Sequence, residues 1–430
     1  IFWLDATPLK VIESWYNGFW SLLEFGMQIV LIVITGFAIA LSPVVKKGID
    51  KLNKYITTPR QVYYFVALTG VILGFISFGW VVITCVLARE LALRVKGVNY
   101  PFLIACVYFA SGSWVTGLSS SIPLLLGTKS NYLINAGILN ETIPTTYTLG
   151  TPLNLAMIVL YLIFAPLLIL FLIPKNKNIK ELNDMLESKT DTNELSIKEE
   201  ASSLNLSYNS ISDRLNNGVL LQIIIVLMGL TYIIFHFYTE GFNLNFNIMI
   251  FIFIIAGLAL HKTPMRYVIA MKRSSGNISG ILYQYPFYAG IMGIMLYTGL
   301  GEKLAQVMSS VATLDSYAFF AYITGGLVNF AIPSAGGEFA VVGPSLINAI
   351  KDIGTGLPSE EISAMIARAS LSVAYGESLT NLLQPFFLLL VFPIMEAGIK
   401  IQARDVMGYL VIPFLIFFVI QSILVTWIPF

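Results

Sequence analysis

The sequence predicts an all-α, polytopic membrane protein built as two inverted-topology repeats, each with a re-entrant helical hairpin and a broken transmembrane helix. Three observations predict it. Hydrophobic residues make up 57% of the 430 residues and charged residues only 11%, whereas a soluble domain carries about 25% charged residues. The apolar residues form long unbroken runs, such as IVLIVITGFAIAL (29–41) and VLLQIIIVLMGLTYIIF (219–235), rather than the roughly 10-residue alternating segments of a transmembrane barrel. Two apolar regions also contain what a span avoids: SFGW (77–80), and AIPSAGGEFAVVGPS (331–345) with its prolines, glycines, serines and glutamate.

Taken in order, the spans read as 18–41, 101–126, 153–174, 218–238, 246–261, 277–298, a long 362–398, and 406–430. Two regions, 61–95 and 317–350, do not fit one crossing. Lys46, Lys47, Lys51, Lys54 and Arg60 lie before the first, and Arg89, Arg94 and Lys96 close it. Lysine and arginine in short loops mark the cytoplasmic side, so both ends of 61–88 fall on that side. Two crossings need roughly 40 apolar residues, and too few are available. The region therefore reads as a hairpin entering from the cytoplasm. The flanks of 317–350 are not positive: Glu302, Lys303 and Asp315 precede it, and Lys351, Asp352, Glu360 and Glu361 follow. With Lys262, Arg266, Lys272, Arg273, Lys400 and Arg404 cytoplasmic, the spans alternate if this second hairpin enters from outside.

This gives a first inverted repeat over 1–174, a polar cytoplasmic linker over 175–217 with one exposed helix, a connecting helix over 218–245, and a second repeat over 246–430. The first repeat has one helix fewer before its hairpin, and the chain starts at Ile1 with IFWLDATP. A further N-terminal helix is therefore expected ahead of it.

Other classes recede. The net charge of +1 gives no nucleic-acid footprint. Cys85 and Cys106 lie in apolar surroundings and read as packing residues. No metal-ligand pattern and no signal peptide is evident. His236 and His261 lie near span ends and read as interfacial, and Glu24 as either interfacial or internal.

In hydrocarbon every backbone N–H and C=O needs an internal partner, so irregular backbone is tolerated only where protein buries it or a cavity wets it. Pro333 and the Gly336–Gly337 pair can end one half-helix and begin another. Half-helix N-termini favour anions, and unwound carbonyls can hold a cation. After each hairpin comes a similar passage: FASGSWVTGLSSSIPLLLG (109–127) and VAYGESLTNLLQPFFLLL (373–390). Each runs from an aromatic through small and hydroxyl residues and a glycine to a proline, Pro123 or Pro385. The four broken segments would converge near the membrane midplane. The substrate-binding candidates are Ser77, Gly79, Ser113, Trp114, Ser119, Ser121, Gln284, Pro333, Ser334, Gly336, Gly337, Glu338, Gly376, Thr380, Asn381 and Gln384. Glu338 and Glu377 stand out, because carboxylates inside a membrane are costly and default to function. Glu377, Glu338 and Asn381 are the candidates for a coupling ion. Tyr283, Tyr285 and Tyr288 read as packing around another helix break.

WYNGFWSLLEFGMQIVLIVITGFAIA (15–40), ARELALRVKGVNYPFLIACVYF (88–109), LHKTPMRYVIA (260–270), YPFYAGI (285–291), NFAIPSAGGEFAVVGPS (329–345) and AYGESLTNLLQPF (374–386) resemble the bacterial short-chain fatty acid transporter family of the AtoE type. That family resembles the wider ion-transporter superfamily of organic-anion carriers. The resemblance covers nearly the whole chain. It implies a multi-pass protein of the bacterial cytoplasmic (inner) membrane, elevator movement, and a small monocarboxylate substrate such as acetoacetate or butyrate. The signature carries over to Pro333, Ser334, Gly336 and Gly337, and to Gly376, Glu377, Asn381, Gln384 and Pro385. Glu338 departs from the family pattern, which implies a neutral amide or histidine there, and Ser378 stands where it implies glutamine.

The expected activity is secondary active, cation-coupled transport with H⁺ or Na⁺ as coupling ion, no other cofactor, and no catalysis. The carboxylate would sit on the half-helix termini beside Ser334, Ser119, Ser121, Thr380 and Asn381, with its alkyl tail against Trp114, Phe330 or Phe386. The hairpins and broken helices would move against a scaffold of 18–41, 153–174, 246–261 and 406–430, whose pairing suggests a homodimer by analogy. A dicarboxylate or citrate carrier is the main alternative. It would call for more cationic side chains in the core, where Arg368 is the sole candidate. An intramembrane enzyme would need a nucleophile–base pair, paired aspartates or a metal cluster at depth. A channel would not need two opposed hairpins.

Overall fold

A computed structural model describes residues 6–52, 55–175, 179–186, 196–204, 210–385, 387–396 and 398–429. The architecture among these residues is helical, and the sole isolated bridge pairs Leu186 with Ile399. Among the described residues, six helical segments are long and apolar enough to cross a membrane: Leu23–Ala40, Pro59–Ile76, Tyr100–Leu126, Pro152–Phe171, Leu220–Glu240 and Ala403–Trp427.

The chain opens with α1 (Pro8–Gly18), α2 (Leu23–Ala40) and α3 (Pro43–Leu52). The span expected over 18–41 thus begins later and is preceded by a separate amphipathic helix, capped by the Thr7 hydroxyl. The first expected hairpin is α4 (Pro59–Ile76) and α5 (Val81–Arg94), joined at Ser77 and a tight turn over Phe78–Trp80. Thr58 and Gln61 form a capping box, and Pro59 occupies the first turn, where its missing N–H costs nothing. Next come α6 (Tyr100–Ser111), a turn over Gly112–Thr116, α7 (Ser121–Leu126), and α8 (Pro152–Phe171), which contains a π turn at Leu160–Phe164.

After the linker, α9 (Leu220–Glu240) runs along the outside with only Gln222 and Gly229 buried. The Gln222 amide anchors it to the Leu258 carbonyl. Then follow α10 (Phe246–His261), α11 (Pro264–Ser274), α12 (Ser279–Tyr297) and α13 (Leu300–Val311). The second helix–break–helix is α14 (Tyr317–Val328) and α15 (Ala335–Ile353). The long apolar stretch 362–398 is α16 (Ser359–Thr380), a turn over Asn381–Leu383, and α17 (Leu388–Met395). α18 (Val411–Trp427) is the last helix described.

The order of elements recurs. An amphipathic helix, an apolar helix, another amphipathic helix, a hairpin, an interrupted helix and a final span run from α1 to α8 and again from α11 to α18. Contacts are exchanged in the same sense. α1 packs on α12 while α11 packs on α2. α4 packs on α6 while α14 packs on α16. α5 packs on α17 while α15 packs on α7.

Glycines set the closest approaches. A Cβ on Gly376 would sit 2.0 Å from the Tyr322 carbonyl oxygen, and one on Gly325 would sit 2.3 Å from that of Val373. α14 and α16 therefore touch backbone to backbone, the packing that small residues permit between membrane helices. In the first hairpin, a Cβ on Gly79 would meet the Val33 carbonyl at 3.0 Å, so the turn rests directly on α2.

The linker is more structured than one exposed helix. Short helices span Leu182–Met185, Ile197–Ser203 and Ile211–Asn217. Leu182 is fully buried, and Gly97 N–H donates to the Glu181 carboxylate at 2.8 Å. Ile197 and Ala201 pack with Ala38, Ile269 and Ala270. The Ser196 hydroxyl and amide hold the Glu199 carboxyl below its usual range.

Candidate functional site

The two hairpin turns and the two helix breaks meet one another through hydrogen bonds that satisfy their interrupted backbones. At the first hairpin, Ser77 is extended (φ −156°, ψ 133°) and its hydroxyl accepts from Gly79 N–H at 3.2 Å. Phe78 N–H donates to Ser119 Oγ at 3.0 Å, and Leu118 N–H to the Phe75 carbonyl at 2.8 Å. Ser113 Oγ donates to the Val71 carbonyl at 3.1 Å. The first turn is thereby stitched to the first break. The break's loose carbonyls are taken by distant side chains: Ser378 Oγ donates to Gly112 O at 2.9 Å, and Asn154 Nδ2 to Thr116 O at 3.0 Å. Tyr375 OH completes the second link by donating to Asn154 Oδ1 at 2.8 Å.

Asn329, at the end of α14, organises the other side. It is fully buried, and its amide donates to Glu377 O at 3.1 Å, Thr380 Oγ1 at 2.8 Å and Asn381 Oδ1 at 3.0 Å. Three acceptors around one nitrogen fix the amide's orientation. Asn381 Nδ2 in turn donates to Glu377 Oε1 at 2.8 Å. Gln384 Nε2 donates to Asn329 O at 3.1 Å and Asn381 Oδ1 at 2.9 Å. Tyr108 OH, from α6, donates to the carbonyls of Asn381 at 2.9 Å and Gln384 at 3.0 Å. Pro333 supplies no donor, and Ser334 is extended (φ −151°, ψ 112°), its hydroxyl accepting from Gly337 N–H at 3.5 Å to start α15.

Some of the buried side-chain atoms without a hydrogen-bond partner lie on these same segments: Ser120 Oγ and Ser121 Oγ at the first break, Asn329 Oδ1 at the second hairpin, Glu377 Oε2, and both carboxylate oxygens of Glu338; others, such as Gln222 Oε1 and Tyr267 OH, lie elsewhere. Buried polar groups are normally paired, so such a cluster marks where a ligand or ion would complete the set.

Several expected ligands are spent on the protein itself. Ser77, Ser113 and Ser119 brace the first hairpin, and Thr380, Asn381 and Gln384 belong to the asparagine network. Gly336, Gly337 and Gly376 make room for neighbours: Cβ atoms on the first two would strike Phe25 at 2.8 Å and Tyr288 at 2.4 Å. Gln284 is half-buried and accepts from Tyr288 OH at 3.3 Å. Tyr285 and Tyr288, rather than Gln284, cover the start of α15. Trp114 lies against Phe78 at a centroid distance of 5.3 Å. Phe330 is largely exposed, and Phe386 lies outside the described residues. Arg368 donates to the carbonyls of Val425, Thr426 and Ile428 at the end of α18, so its guanidinium closes a helix terminus and does not serve the site. His261, at the end of α10, is fully buried, its ring 2.7 Å from the Ala38 carbonyl. Cys85 and Cys106 are free and buried.

Sequence reading missed Asn329 and Asn154. Asn329 stood beside the noted Pro333–Ser334 break, an interior amide in an apolar run, and that was the available signal. A cavity of about 10 Å³ lies among Phe78, Tyr108, Ser111, Gly112, Trp114, Ser378, Asn381, Leu382 and Phe387, room for about one water. A larger groove of about 380 Å³ lies elsewhere, between α2 and α10, lined by Glu24, Gln28, Asn247 and apolar residues. The candidate site is drawn at the breaks, where the unpartnered carboxylate oxygens of Glu338 and Glu377 lie.

The solved structures with this architecture include the YdaH transporter of Alcanivorax borkumensis, with a TM-score of 0.57 at 17% identity, covering 97% of this chain and 86% of that one. Another is MtrF of Neisseria gonorrhoeae, associated with a class of antimetabolite efflux pumps, with a TM-score of 0.56 at 15% identity, covering 98% and 84%. In sequence, the chain is 33% identical over 411 residues to a Haemophilus influenzae protein and 34% identical over 410 residues to one from Escherichia coli, each named "Putative short-chain fatty acid transporter". These alignments cover 94% and 95% of this chain and 87% and 88% of the relatives. The family model described as short chain fatty acid transporter matches residues 1–428. The chain, a multi-pass membrane protein, therefore belongs to the short chain fatty acid transporter family, whose members are transporters rather than enzymes.

Proposed function

We propose that this protein carries small monocarboxylates of the acetoacetate or butyrate kind across the bacterial inner membrane by cation-coupled, elevator-type alternating access. The single observation that carries the reading is the convergence of both hairpin turns and both helix breaks on Glu377, with unpartnered buried oxygens gathered on the same segments. Two carboxylates beside a carboxylate cargo would be prohibitive in a low-dielectric interior. A proton or Na⁺ neutralising Glu377 or Glu338, with Asn381 fixing the first, removes that cost. The site thus couples cargo to a cation by its own charge.

The same segments support two inverted repeats, over 1–174 and within 246–430, whose matching elements run from α1 to α8 and from α11 to α18, joined by the linker 175–217 and the connecting helix 218–245. The exchanged contacts of α1 with α12 and α11 with α2 are what a two-fold relation between repeats produces. Each hairpin joins a long arm to a short one. α5 has 14 residues and α14 has 12, or about 21 and 18 Å, short of the roughly 30 Å hydrocarbon core. Re-entrant hairpins fit those lengths. In this reading the hairpins and broken helices move against α2, α8, α10 and α18, and two copies pair through the scaffold. The cavity at the breaks holds about 10 Å³, too little for a carboxylic acid, so the conformation corresponds to a closed state that must open to load.

The test is binding of a graded series of linear monocarboxylates, acetate to octanoate, to the purified protein by calorimetry. The reading expects saturable binding with an optimum among the short acids. Tighter binding of succinate or citrate than of any monocarboxylate would shift the assignment to a dicarboxylate carrier.

A further inference from the structure

Glu338 and Glu377 sit in different settings, and the difference assigns them different work. Glu338 lies in the first turn of α15, is fully buried, and has no hydrogen-bond partner on either carboxylate oxygen. It is not a helix cap. A capping box would place the carboxylate one residue earlier, where Gly337 has no side chain, and would draw on Ser334 N–H, which instead donates to the Ile332 carbonyl at 2.8 Å. The two residues before it, Gly336 and Gly337, are crowded by the aromatic rings of Phe25, Tyr285 and Tyr288.

Among the described residues, no lysine or arginine forms an ion pair with it. Helices α7, α12, α13, α14 and α16 pack against α15. α7 carries no titratable group. The others bring Tyr283, Tyr285, Tyr288 and Tyr297 on α12, Glu302 and Lys303 on α13, Tyr317 and Tyr322 on α14, and Glu360, Glu361, Arg368, Tyr375 and Glu377 on α16. Glu377, of like charge, is close enough to act on it electrostatically. Glu377 differs: its Oε1 accepts from Asn381 Nδ2 at 2.8 Å, and its backbone carbonyl is held by Asn329.

An ionised carboxylate with no donor and no countercharge is the costliest group to bury, and such a group neutralises instead. A protonated carboxyl has one O–H to give, and the strongest acceptor for it is another carboxylate. Resting on the transporter reading above, we propose that Glu338 carries the coupling proton and donates it in a hydrogen bond to the carboxylate of the cargo, while Glu377 serves as the fixed, amide-anchored acceptor of the site. The proton balance is simple. The loaded site holds neutral Glu338 and an anionic cargo; when the site opens to water and releases both proton and carboxylate, Glu338 is anionic and hydrated and the site empty. The two forms carry the same charge, so one acid moves with one proton and no net charge crosses.

The experiment is butyrate affinity by calorimetry across the pH range in which butyrate is ionised, for the intact protein, Glu338→Gln and Glu377→Gln, with infrared spectra of each. The proposal expects wild-type affinity to fall as pH rises, approaching tenfold per pH unit for one linked proton. It also expects a protonated-carboxyl C=O band that shifts when butyrate binds. Glu338→Gln, which retains an N–H donor, should bind butyrate with a flat pH profile and lack that band, while Glu377→Gln keeps it. An unchanged pH slope in Glu338→Gln, or a wild-type protein without the band, overturns the assignment of Glu338 and leaves the transporter reading standing. Failure of wild-type protein to bind any monocarboxylate overturns that reading itself. Should Glu338→Gln fail to fold, the wild-type band and its response to butyrate still decide.

Discussion

Asn329 ties the second hairpin to the second break with a single side chain. Its side-chain N–H group meets three acceptors, and its backbone carbonyl accepts from Gln384 Nε2. Asn329→Ala removes the donor and leaves buried acceptors unpaired, a loss of about 1–3 kcal/mol, visible as a lower thermal unfolding temperature in detergent. If the network matters only to folding, stabilising additives should restore uptake in the variant; if it also positions Glu377, the concentration of coupling cation giving half-maximal uptake should remain shifted. Glu377→Gln addresses the carboxylate directly. Uptake by that variant is expected to weaken while keeping its pH dependence, which Glu338 carries; a flattened pH dependence would make Glu377 the coupling carboxylate instead. At this scale the sequence was only partly legible. Glu338, Glu377 and Asn381 announce themselves as polar residues in apolar runs. Which hydroxyls are free does not: Ser113 reaches the Val71 carbonyl and Ser378 the Gly112 carbonyl, partners far away in sequence that only the folded chain brings near.

Hairpins and breaks were legible as elements, because glycine, proline and serine interrupt a helix by local chemistry. The turn at Ser77–Trp80, the break at Gly112–Ser120 and the second turn before Ala335 all fall inside the stretches those residues marked. The separation of α1 from α2 and the anchoring of the linker were not legible, since both depend on contacts with distant helices such as α12 and α11. The closest helix pair yields a sharp prediction. Gly376→Ala would put a methyl 2.0 Å from a backbone oxygen that has no flexible end to yield. Destabilisation of about 1–3 kcal/mol is expected, measured by thermal unfolding. Gly48→Ala, which meets nothing within 4 Å, serves as the silent control.

At the scale of the whole molecule, the recurrence of elements and the exchange of contacts argue for two repeats of opposite orientation. The orientation can be tested without reference to cargo. Exposed positions on the third and thirteenth helices, Lys47 and Ser310, take cysteines in Lys47→Cys and Ser310→Cys on a background with Cys85 and Cys106 replaced. A membrane-impermeant thiol reagent applied to intact cells should label Ser310→Cys and spare Lys47→Cys until the cells are opened. Labelling of both from the same side would contradict the inverted arrangement.

The measurement that bears most directly on the central claim is uptake of labelled butyrate and acetoacetate into proteoliposomes, under an imposed pH gradient and, separately, a Na⁺ gradient. Short-chain acids leak through lipid, so protein-free liposomes set the baseline. The account predicts saturable, protein-dependent accumulation driven by one of the two gradients. Protein-dependent uptake of neither acid under either gradient would contradict it.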